Sequence, residues 1–140
     1  MDGYDMIFLT LVVITLILNT LASMITHYLL QLGYVELNIF RPDPSWNPAL
    51  SLVWSVSVIV LGFGLIYWLL EDHPKARAII ASMIAGVSAY DFMHDFLLLI
   101  NANPYCQVML PYMVGVLIPI TTALALISSK EEAVEGFFVG

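Results

Sequence analysis

Apolar residues fill four long runs of this chain, at about residues 6–32, 49–70, 76–100 and 106–127, and most charged residues fall between or outside them. Each run is near or above the roughly 20 residues that a helix needs to cross the hydrocarbon core of a bilayer. Within hydrocarbon every backbone polar group must be satisfied inside the segment, so runs of this length read as spanning helices. The pattern predicts an all-α, polytopic integral membrane protein, a four-helix bundle that makes residues 1–140 a single transmembrane domain. The longest connection, a Pro-rich loop over residues 33–48, leaves no room for a soluble domain. Any chemistry is therefore expected within or beside the bundle.

The polar and small residues inside the runs predict which faces meet. Lipid rewards neither kind, so they mark the protein-facing side of a span. Thr15, Asn19, Ser23, Thr26 and His27 recur at helical spacing and form one stripe on the first helix. In the second run Ser51 and Ser55 are followed by Gly62 and Gly64, which suggests close approach to another backbone, and Asn47 with Pro48 signals the helix start. The third run carries two ridges, Ala81-Ala85-Ala89 and Ser82-Gly86. The fourth, with Pro111, Gly115 and Pro119, is expected to be kinked.

Composition agrees with the pattern: 61% of the 140 residues are hydrophobic and 11% are charged, against roughly 45–50% and about 25% in soluble domains. The net charge of −7 resides mainly in Asp2, Asp5, Glu71, Asp72, Glu131, Glu132 and Glu135. That acidity argues against nucleic acid and against docking on anionic lipid. Lys75, Arg77 and Lys130 fall on the side of the termini and Arg41 on the other, so the positive-inside rule places both termini in the cytoplasm of a cell whose plasma membrane the chain crosses. No basic residue precedes the first span, which is read as a retained helix rather than a signal peptide. The single cysteine, Cys106, excludes an internal disulfide and is expected to be a small buried apolar residue.

One cluster changes this picture. Asp91, His94 and Asp95 lie inside the third span, and ionisable groups there are costly enough to count as a functional hypothesis. Positions i, i+3 and i+4 share a helix face. Counting about 1.5 Å per residue from the span centres puts His27 of the first helix in the same leaflet. Three readings follow. Carboxylate and imidazole groups at this spacing suit a divalent transition metal held by Asp91, His94, Asp95 and His27. The same groups could instead hydrogen-bond across helices and fix their packing, or pass protons or ions. Asn19, Glu36, Asn38, Arg41 and Asn101 add polar atoms at that end, and the expected feature is a polar vestibule in the outer half of the bundle.

The stretch from Asn19 to Asn38, ending Gly33-Tyr34-Val35-Glu36-Leu37-Asn38, resembles a family of small prokaryotic membrane proteins with Gly-x-x-Glu-Leu-Asn-Pro after the first span. Gly33, Glu36, Leu37, Asn38 and His94 match that pattern, while Asn19 stands for its acid and Ile39 for its proline. The resemblance covers about residues 15–100 and implies a multi-span fold; it brings no activity with it.

The absence of any nucleotide loop, haem-attachment motif or nucleophile elbow gives the familiar enzyme classes no support. The expected function is a small non-catalytic subunit or accessory protein of a membrane complex, partnered by the lipid bilayer and by other membrane subunits or copies of itself. The alternative is an intramembrane metal-binding protein or a component of a metal-dependent membrane enzyme, with ion or proton transport behind both.

Overall fold

The computed structural model describes residues 3–35 and 47–138, with side chains as far as Ser128. Four helices account for nearly all of this: α1 (Gly3–Gln31), α2 (Pro48–Leu69), α3 (Pro74–Leu99) and α4 (Pro104–Phe138). All four are long and apolar enough to cross a membrane, and the described residues contain no strand. The chain is a multi-pass, all-α membrane protein. Glu36, Asn38 and Arg41 lie outside the described residues.

The expected ends hold to within a helical turn, except at the C-terminus. The apolar part of α4 stops at Ser128, but the helix itself continues to Phe138, about 15 Å further. Hydropathy reports where hydrocarbon ends; a helix rich in good formers such as Ala, Glu and Lys need not end there. α4 also passes Pro111 and Pro119 without a break in its helical assignment, and Pro111 is fully buried.

Local chemistry sets the other ends. Asn47 Oδ1 accepts a hydrogen bond from the Ala49 amide at 2.9 Å, with Pro48 opening α2. Asn103 accepts from the Tyr105 amide at 2.9 Å, with Pro104 in the same role for α4. α1 and α3 finish alike. Gly33 (φ +94°) and Asn101 (φ +51°) turn left-handed, and the next amide reaches back to close a Schellman motif, Tyr34 to Leu29 at 3.2 Å and Ala102 to Leu97 at 2.9 Å.

α3 is the hub. It runs parallel to α1 and packs extensively against α1 on one side and α4 on the other, whereas α2 leans mainly on α1 and only touches α3. We call the end where α1 and α3 begin the terminal face and the opposite end the loop face. The small residues of α3 make this possible: Ala78, Ala81, Ser82, Ala85, Gly86 and Ala89 are all buried. Against them α1 lays Phe8, Leu11, Thr15, Ala22, Thr26 and Leu29, so its polar stripe does face a neighbour. Phe63, the one buried residue of α2, meets Phe8 edge-on at 5.8 Å and completes a cluster with Leu11, Ala81 and Ala85.

Two expectations about small residues are corrected. Gly62 and Gly64 do not bring α2 against another backbone; both meet open space. Close backbone approach occurs instead between α3 and α4, where Gly86 and Gly115 face each other. Cys106 is exposed rather than buried, as are its neighbours Pro104 and Tyr105 in the first turn of α4.

Candidate functional site

At the loop face the three helices α1, α3 and α4 are joined by a polar and aromatic chain. Thr26, buried on α1, donates its hydroxyl hydrogen bond to the Asp95 carboxylate on α3 while lying 2.8 Å from its own helix's Ala22 carbonyl oxygen. One proton is thus shared between two acceptors, a three-centre arrangement common in helices. Asp95 Oδ1 stands 3.5 Å from His94 Nδ1, the outer limit of a hydrogen bond. The His94 ring stacks on Tyr90 at 6.1 Å, and Tyr90 meets Tyr112 of α4 at 5.0 Å.

Asp95 and His94 therefore look in different directions although they adjoin. The Asp95 side chain is 16% exposed and turned to α1, while that of His94 is 40% exposed and stacks on Tyr90 of its own helix. Burial in hydrocarbon explains the first choice, since a carboxyl group needs a donor there and Thr26 on the facing helix supplies one.

The four proposed metal ligands are not gathered. Among the described residues no three His, Cys, Asp or Glu side chains are grouped to hold a metal ion. The reason is angular: successive helical residues project about 100° apart, and it is Thr26, not His27, that points at α3. His27 instead lies 3.3 Å from Gln31 of its own helix. Asp91 is half-buried on α3, one turn before Asp95. Asn19 has its amide nitrogen buried without a hydrogen-bond partner. Asn101 terminates α3 in the left-handed region.

A second polar junction lies at the terminal face, and sequence reasoning did not anticipate it. Arg77, only 3% exposed, forms an ion pair with Asp5 of α1. Its guanidinium also lies over the Tyr67 ring at 4.2 Å and the Phe8 ring at 5.4 Å. Arg77 thus ties α1, α2 and α3 together at one point. A guanidinium is the suitable cation here, being flat, weakly hydrated and able to stack and pair at once. The signal was present: an acid and an arginine occupy matching early positions in two parallel helices, each followed by apolar residues. Lys75 repeats the theme more weakly, 5.7 Å over Tyr4.

Comparison with protein-family models, with curated proteins and with solved structures gives no match. The chemistry of the site must be read from its own geometry. That geometry crosslinks helices at both membrane faces, Arg77–Asp5 at one and Asp95–Thr26 at the other.

Proposed function

We propose that this protein is a small, non-catalytic helical subunit or accessory protein of a membrane assembly, seated in the plasma membrane with both termini in the cytoplasm. The observation that carries this reading is the state of α2. It has one buried residue, and Gly62 and Gly64 present their backbone to open space. Small residues on a spanning helix favour association because they let another backbone come close. Here that opportunity is not used within the chain.

The ionisable residues of the spans fit the same reading. Arg77 and Asp95 are engaged in holding helices to one another, as interhelical polar groups do for about 1 kcal/mol each. The metal-binding alternative is not favoured by the position of His27. The likeness of the Gly33–Asn38 stretch to small prokaryotic membrane proteins belongs to this proposal as well.

The test is native mass measurement after gentle detergent extraction, wild type beside Gly62→Leu/Gly64→Leu. The reading expects a defined assembly in the wild type and its loss in a variant that keeps its helix content and thermal stability. A lone, stable wild-type monomer under mild conditions would count against it.

A further inference from the structure

A slot of about 560 Å³ runs along the seam between α3 and α4. Its floor is the Gly86–Gly115 contact, its walls include Val87 and Val116, and Pro119 lies toward the terminal face. Toward the loop face it ends at Tyr90 and Tyr112, with His94 stacked on the far side of Tyr90. Everything else lining it is apolar.

Size, depth and polarity restrict what fits. The volume is that of a small-molecule site, which spans roughly 300–1,000 Å³. The aromatic corner lies deep: Tyr112 is about 12 Å and Tyr90 about 14 Å inside the ends of their helices. A charged head group is excluded at that depth by the cost of burial in hydrocarbon. A phospholipid would keep its head at the interface and leave the corner to bare chain. The corner offers the two phenols of Tyr90 and Tyr112, whose rings meet at 5.0 Å. A phenol donates a hydrogen bond readily to a carbonyl oxygen, and aromatic edges and faces favour a flat ring.

We propose that the α3–α4 slot binds a neutral, lipid-soluble quinone, its ring at the Tyr90–Tyr112 corner and its apolar tail along the Gly86–Gly115 floor toward Pro119. Entry is lateral, from the bilayer, because Val87 and Val116 are exposed on the membrane-facing side. The proposal concerns binding and stands independently of whether the protein has subunit partners.

The test uses the full chain in nanodiscs of one synthetic phosphatidylcholine, with a photoreactive short-chain benzoquinone as probe. Retention is compared with empty discs, and the labelled residues are mapped by mass spectrometry. The proposal expects saturable, one-to-one retention with labelling at Tyr90 or Tyr112. Val116→Phe, which fills the slot from an exposed wall, should weaken retention at least tenfold without lowering Tm. Tyr112→Phe should weaken it less while the fold is kept. Retention no greater than in empty discs would overturn the proposal, as would labelling spread evenly over the lipid-facing surface. A phospholipid held in the slot, lost in Val116→Phe and not displaced by the quinone, would make this an acyl-chain groove instead. Closure of the seam by a second protein would overturn it too.

Discussion

Gly86 of α3 and Gly115 of α4 meet backbone to backbone, so closely that a Cβ on Gly115 would stand 3.0 Å from the Gly86 carbonyl oxygen, and a Cβ on Gly86 would overlap the Gly115 carbonyl. The same Gly86 Cβ would also stand 3.2 Å from Pro119 Cδ. Between spanning helices there is no hydrophobic drive, and such contact is what holds them.

Gly86→Ala should therefore part α3 from α4, at a cost of about 1–3 kcal/mol for overpacking. Gly115→Ala should cost less, because a Cβ there would crowd the Gly86 carbonyl oxygen at 3.0 Å and the Tyr90 Cβ at 3.3 Å, so that neighbours need give by only a few tenths of an ångström. Gly62→Ala is the control: with nothing near its Cβ, it should be neutral or stabilise α2 by up to about 1 kcal/mol through helix propensity. Reversible unfolding in mixed micelles would rank the three.

Arg77→Met leaves Asp5 without its cation, and Asp5→Leu leaves a guanidinium buried without its anion. Breaking such a pair from one side typically costs about 3–5 kcal/mol; the partly exposed Asp5 side chain places this one toward the lower end. The double variant Asp5→Leu/Arg77→Met should recover most of the loss. Arg77→Lys should recover little, since an ammonium cannot lie flat on Tyr67. A double-mutant cycle on unfolding free energies checks all four.

Thr26→Val removes the donor that α1 gives to Asp95 and changes little else in shape. The expected coupling between Thr26→Val and Asp95→Asn is about 0.6–1.7 kcal/mol, the range for polar contacts between spanning helices. Coupling indistinguishable from zero in the same cycle would mean that Asp95 is held by other groups.

Asn101→Gly should be neutral or slightly stabilising and Asn101→Val should cost about 1–2 kcal/mol, because only small or locally hydrogen-bonding residues occupy the left-handed region cheaply. The same logic makes Gly33→Val destabilising at φ +94°. Thermal unfolding of the three variants beside the wild type would show it.

Much of the fold was legible because the bilayer imposes it. Apolar runs gave four spans, Asn47-Pro48 gave the start of α2, and the Thr15–Thr26 stripe and the Ala81-Ala85-Ala89 ridge gave the contact faces of α1 and α3. What escaped was whatever depends on the rotation of one helix against another. A turn of about 100° decides that Thr26 rather than His27 meets α3. Rotation likewise leaves Gly62 and Gly64 in the open while Gly86 and Gly115 touch. Arg77 was hidden differently: counted as one positive charge near a boundary, it gave no sign of the aromatic rings of Phe8 and Tyr67 that receive it.

The hub position of α3 has a consequence for how the chain is made. Helices leave the ribosome in order, and α1 and α2 share only a limited surface. Until α3 arrives, Thr26 of α1 awaits Asp95 and Asp5 awaits its arginine. A half-synthesised protein of two spans is thus a poorly matched guest in the bilayer, open to capture by insertion factors and membrane proteases. Completion of α3, from Arg77 to Asp95, is the event that ends that exposure.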